Sequence, residues 1–175
     1  IALSALQNNI FIDGLILSGS SKPAKVMILI QKVLIKTQIL FFGKKSVSVF
    51  LDNVTLGSYN NFFKPNRTQK DWISSDDDNV DNYVADPLCG FRVTNGLWDD
   101  LVNGILKAFN NNNYSLSNNS IPIFIISGSK DPVGENGKGV MRLNNFLSNI
   151  FSNVSIKIVD EARHEVFSET TKENS

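Results

Sequence analysis

Residues 121–126 read IPIFII, an unbroken apolar run that ends in SGSKDPVG (127–134). A strand with one face in water alternates apolar and polar residues. A strand that is apolar at every position belongs to a parallel sheet whose two faces are both covered by helices. This run therefore sets the architecture more firmly than any other feature of the chain. It also poses a question: why the strand closes on a small-residue turn, an aspartate and then a proline, Asp131-Pro132.

The flanking sequence supplies the strand–helix alternation that such a sheet needs. Within IDGLILSGSS (12–21), positions 14–17 read as a second buried strand that ends in a Ser/Gly turn. Pro23 suits a helix first turn, where a missing N–H costs nothing. That helix is expected to run to about Phe42 and stop at Gly43, a residue type that ends helices well. NGLWDDLVNGILKAFN (95–110) places Leu97, Leu101, Ile105, Leu106 and Phe109 on one helical stripe. An asparagine-rich surface loop (110–120) follows. GKGVMRLNNFLSNIF (137–151) reads as an amphipathic helix with Val140, Leu143, Leu147, Ile150 and Phe151 inward, and VSIKIVD (154–160) as the last strand. Residues 44–95 hold no sustained period of either kind and read as an irregular, partly helical insertion. In it, SSDDDNV (74–80) offers an N-cap and an acidic first turn, which the helix dipole favours. Asp76, Asp77 and Asp78 are thus read as a solvated helix start in preference to a metal site. The whole pattern is that of a doubly wound α/β sheet.

Composition excludes several functions. The chain has 175 residues, 42% apolar and 19% charged, with zero formal net charge. These are values of a soluble globular protein, and without a basic stripe no nucleic-acid partner is expected. Cys89 is the single cysteine, so no internal disulfide or zinc cluster is expected, and a reducing, cytoplasmic setting fits. No charged segment precedes an apolar stretch, so no signal peptide is read. The longest apolar stretch (26–42) carries Gln31, Lys32, Lys36 and Gln38. A spanning helix needs about 20 mostly apolar residues, so a buried helix is expected there and no transmembrane segment.

In a doubly wound sheet, ligands bind beyond the carboxyl ends of the strands. Asp131 and His164, the only histidine, both fall at that edge. Alone, Asp131 reads as the cap of a helix opened by Pro132, and a lone histidine reads as structural. Together, in the order strand, Asp, helix, strand, His, they match hydrolases in which an acid orients an imidazole that takes a proton from a nucleophile.

The stretches IDGLILSGS, GSYNNFFKPNRTQKDWISSD, VDNYVADPLCGF, IPIFIISGSKDPVG and ARHEVF resemble the carboxy-terminal part of an α/β-hydrolase. The resembling group is that of monoacylglycerol lipases, lysophospholipases and serine aminopeptidases, and the likeness runs from Asp13 to about Phe167. It implies the C-terminal half of a doubly wound parallel sheet with a mostly helical cap insertion. Core would span 1–43 and 111–175, and cap 44–110. It implies Asp131 as triad acid and His164 as general base, with no metal or organic cofactor. The substrate would be a small acyl ester or lipid such as a lysophospholipid or monoacylglycerol, with a membrane-surface substrate left open. Phe62, Phe63, Trp72, Tyr83, Phe91 and Trp98 are candidates for lining an acyl pocket.

One departure stands against this. The G-x-S-x-G elbow that carries the nucleophile does not occur: Gly19-Ser20-Ser21 runs into Pro23, and neither Gly57-Ser58 nor Gly128-Ser129 fits. The chain is expected to supply the Asp and His of a triad but not the Ser, and to be a fragment. An exposed edge on the strand at 14–17 and an apolar face would make it poorly soluble or partly molten. Two alternatives remain: an aminopeptidase of the same fold, which needs an acidic subsite that only Asp76–Asp78 offer, or a non-catalytic truncated remnant. GSKDPVGENGKG (128–139) lacks the glycine spacing of a nucleotide-binding loop. Oligomeric state is not legible.

Overall fold

The structure is a computed structural model and describes residues 1–8, 10–115 and 117–170. The asparagine-rich loop therefore has one residue, Leu116, outside the described set, as is the chain's end after Thr170.

Three parallel strands form the sheet in the order β1 (Leu15–Ser18), β2 (Pro122–Gly128), β3 (Asn153–Val159). Leu15 to Ser18 pair with Ile123 to Ile126, and Pro122 to Gly128 pair with Asn153 to Val159. The unbroken apolar run is the central strand: Ile123, Ile125 and Ile126 are buried. β1 has one edge without a strand partner among the described residues, and Ile16 on it is exposed.

Helix α1 (Ala2–Gln7) precedes β1. After it come α2 (Lys25–Phe42), α3 (Val49–Val54), α4 (Leu56–Tyr59), α5 (Asp77–Ala85) and α6 (Asn95–Ala108), all before β2. Helix α7 (Lys138–Ser148) joins β2 to β3. Its expected inward face is the observed one, with Val140, Leu143 and Leu147 packed on Ile123 and Ile125, and Ile150 at the margin. Phe146 and Phe151 meet the ring of Tyr114 edge-on. Tyr114 donates to the Ala108 carbonyl at 2.7 Å, so the asparagine-rich loop is anchored in the core. Burial pushes its phenol up to about 12, against a smaller opposing hydrogen bond from Gln7.

A second apolar cluster lies away from the sheet and joins α2, α3 and α6 through Ile28, Ile35, Leu51, Trp98 and Val102. Three expectations change here. Helix α2 is not buried: only Ile28 and Ile35 are, while Val26, Met27, Leu29, Ile30 and Val33 stay exposed, because α3 and α6 cover one side of it. The inward stripe of α6 is Trp98, Val102, Ile105 and Leu106; Leu97 and Leu101 face out. The pairing of Asp99 with Lys36 at 2.8 Å accompanies that rotation of α6 against α2. Pro23 lies before the helix, which opens at Lys25 with Ala24 as its extended N-cap. Gly43 ends it with φ +81°, a conformation costly for other residues.

Candidate active site

The strand ends are built to let two backbones meet. At the end of β2, Gly128 lies so close to the loop after β3 that an added Cβ would sit 2.0 Å from the Ala162 carbonyl oxygen. The absence of a side chain there allows Lys130 N–H to reach that oxygen at 2.9 Å, while Ser129 N–H donates to Val159 at 2.8 Å. The turn after β2 is thereby tied to the loop that carries His164.

Asp131 is completely buried. One carboxylate oxygen accepts from Val133 N–H at 2.9 Å, the turn-capping bond expected of Asp-Pro. The other faces His164 Nδ1 at 3.1 Å and Ser127 Oγ at 3.3 Å. The capping and the acid readings of Asp131 thus hold together, one per oxygen.

His164 has 28% of its side chain exposed. It borders a cleft of about 250 Å³ lined by Ser18, Gly19, Val166, Phe167 and Ser168. Gly19, with φ +56°, passes so near that a Cβ on it would meet His164 Cε1 at 2.9 Å. On the other side the Trp72 ring lies 5.2 Å from the imidazole, and Tyr59 stands edge-on to Trp72 at 5.3 Å. Burial, and then the nearby charges of Asp131 and Glu135, raise the Tyr59 phenol above its usual value. Among the described residues no hydroxyl group is hydrogen-bonded to His164. Ser20 and Ser21 donate instead to the carbonyls of Ser18 and Val133.

The segment after α4 is pinned to the histidine loop. Arg163 donates to the carbonyls of Asp71 and Ser74 and lies over the Phe63 ring, 4.3 Å from its centroid. Glu165 N–H donates to Ile73 at 2.8 Å, and Asn79 donates to the Glu165 carboxylate at 2.8 Å. Asp71 itself is held by Thr68 Oγ1 and by the N–H groups of Arg67 and Thr68. Its burial alone would raise the carboxyl, but those bonds outweigh it and hold the group below the ordinary range.

Sequence reasoning named Asp131 and His164, and the structure brings them together. Among the aromatics singled out in the sequence, Trp72 touches the imidazole and Phe63 lies under Arg163. Trp98 belongs to the α2–α6 cluster, and Phe62 and Phe91 are exposed. Of the acidic cluster, Asp76 caps α5 through Asn79 N–H, Asp77 pairs with Arg67, and Asp78 is exposed. Among the described residues no group of His, Cys, Asp and Glu gathers to hold a metal, and no helix is long and apolar enough to cross a membrane. Tyr59 and Arg163 escaped the sequence reading.

Known proteins share the family and the fold. The family model described as serine aminopeptidase, S33 matches residues 1–171. No curated protein sequence matches significantly. Among solved structures, a highly thermostable carboxyl esterase from Bacillus coagulans, in complex with glycerol, superposes with TM-score 0.82 at 25% identity. The match covers 95% of this chain and 55% of the esterase. A lipase in its open form gives TM-score 0.74 at 19% identity, covering 98% and 56%. The monoacylglycerol lipase of Paleococcus ferrophilus gives 0.63 at 19% identity, covering 99% and 59%. The fold is that of an α/β-hydrolase, and the chain spans between half and three-fifths of these structures' length.

Proposed function

The chain belongs to the serine aminopeptidase S33 family, and from that premise we propose that it carries the acid and base of a serine hydrolase acting on carboxylic esters. The observation that carries the reading is the contact of His164 Nδ1 with the buried Asp131 at 3.1 Å, at the carboxyl ends of adjacent parallel strands. In this reading Asp131 accepts the Nδ1–H bond and so leaves Nε2 unprotonated. His164 Nε2 takes the proton of a serine hydroxyl as that oxygen attacks the ester carbonyl, then returns it to the departing alcohol. Water repeats the sequence to release the acid. A buried carboxylate stabilises the imidazolium that forms between these steps.

The serine is supplied from outside these 175 residues, since the sequence has no G-x-S-x-G. The cap proposed over 44–110 would shield the ester, with Trp72 and Tyr59 as the apolar wall nearest the imidazole. It shares its apolar cluster with α2. A small acyl ester or lipid, as in a lysophospholipid or monoacylglycerol, suits such a wall. The aminopeptidase alternative needs a free carboxylate near His164. Asp76 and Asp77 are engaged in capping and ion pairing, Asp78 is exposed, and none of the three is hydrogen-bonded or ion-paired to His164, which favours the ester.

Fluorophosphonate labelling of the gene product that contains this chain tests the proposal. The expected result is one labelled serine, with labelling and hydrolysis of short p-nitrophenyl esters both lost in His164→Ala. Labelling or hydrolysis that His164→Ala leaves unchanged would sink the assignment.

A further inference from the structure

Glu169 is 1% exposed, although nothing in the acid–base chemistry uses it. Its carboxylate joins two distant pieces of chain. One oxygen accepts Arg163 N–H at 2.6 Å, the residue immediately before His164. The other accepts Ser75 N–H at 2.9 Å and the Ser75 hydroxyl. A buried carboxylate is tolerated only where hydrogen bonds replace its water, and here three donors do so from two segments. The same two segments are stitched again by Ser74 Oγ to the Ser168 carbonyl at 3.0 Å and by Glu165 N–H to Ile73. Trp72 lies three residues before Ser75 in this stitched segment, and its ring rests against the imidazole.

We propose that Glu169 is a positioning residue: its carboxylate clamps the His164 loop to residues 72–75, so that the imidazole is held between Asp131 and Trp72. The proposal rests on the hydrolase reading for its consequence but not for its geometry. The clamp makes the place of His164 depend on the place of the 72–75 segment. Movement of that segment away from the sheet would release Arg163 N–H and leave the imidazole free to leave Asp131.

His164 is the single histidine of these 175 residues, and in the gene product that contains them its imidazole signals are identified as those lost in His164→Ala. In that wild-type protein the Cε1–H proton is expected to show NOEs to the Trp72 indole, and the Nδ1–H a low-field resonance from its bond to Asp131. Glu169→Gln puts an NH₂ where one of the two backbone donors points, so one side of the clamp must open. It is expected to lose the Trp72–His164 NOEs and the low-field proton while the amide signals of β2 and α7 stay in place. Leu143→Ala, which loosens the sheet core without touching either segment, is expected to keep both signatures despite a lower Tm. Ser75→Ala removes one donor of three and is expected to weaken the NOEs in the same direction. A folded Glu169→Gln with wild-type signatures overturns the proposal. If that variant does not fold, a Ser75→Ala spectrum identical to wild type overturns it. Asp131→Asn is expected to retain the Trp72 NOEs. Ester hydrolysis unaffected by Asp131→Asn and His164→Ala would dismiss the hydrolase reading with the clamp intact.

Discussion

Gly128→Ala is the sharpest single perturbation the structure offers. The new methyl would sit 2.0 Å from the Ala162 carbonyl oxygen and 2.2 Å from that of Arg163, where real Cβ contacts do not fall below 3.0 Å. Both neighbours are backbone, so no side-chain rotation relieves the clash, and the loop must retreat by about 1 Å. The retreat breaks the Lys130 N–H bond to Ala162, worth about 1 kcal/mol. Forcing a methyl into a filled site adds about 1–3 kcal/mol. A total of roughly 2–4 kcal/mol is expected, a large share of the ~5–15 kcal/mol by which domains are stable. Because Arg163 precedes His164, the same shift moves the imidazole off Asp131, and a 1 Å misplacement of a catalytic group costs on the order of 10²-fold in rate. Urea unfolding reads the first effect as a lower midpoint at constant slope, and ester hydrolysis reads the second. Gly104→Ala is the matched control. Nothing lies within 4 Å of that Cβ, in the middle of α6, so it is expected to stabilise by about 0.5–1 kcal/mol. A Gly128→Ala loss below about 1 kcal/mol, with hydrolysis unchanged, would refute the close approach.

Asp131→Asn leaves the shape intact but removes the charge opposite the imidazole, and kcat is expected to fall by about 10³–10⁴-fold; comparison of kcat with KM checks it. The rotation of α6 predicts that Val102→Ala costs about 1.6 kcal/mol for two buried methylene equivalents, while Leu101→Glu changes the urea midpoint little. Equal losses at the two positions would restore the Leu97–Leu101 stripe. Asp71 has a folded pKa held below its unfolded value, so its bonds stabilise the protein above about pH 4. That contribution fades as pH falls from there through the lower folded value. Asp71→Asn is therefore expected to be less stable than wild type at pH 7, with a shallower loss between about pH 4 and pH 2, measured by thermal melts across that range. Parallel curves for the two proteins would remove Asp71 from the acid response.

Sequence by itself determined the parts of this protein that depend on local periodicity. The run at 121–126 had to be a strand, since it is an unbroken apolar run bounded by turn residues, although helix covers only its Ile123–Ile125 face and Phe124 on the other lies half-buried beside the exposed Ile16. The 3.6-residue spacing of Val140, Leu143 and Leu147 had to be a helix facing it, and both elements stand in the structure. Asp131 and His164 were legible because parallel strands bring their carboxyl ends to one edge, which makes order along the chain a statement about space. Helix rotation was not legible. Leu97 and Leu101 form as apolar a stripe as Trp98 and Val102, and the choice between them came with the packing of Trp98 and Val102 against Ile28, Ile35 and Leu51, elements distant in sequence. The exposure of α2 likewise depended on how many elements came to cover it. Glu169 looked like any surface glutamate five residues past a histidine. Its burial required donors from Arg163 and Ser75, residues 6 and 94 positions away, and contacts at such separation leave no period in a sequence. They exist only once the sheet has set the histidine loop against the segment at 71–79.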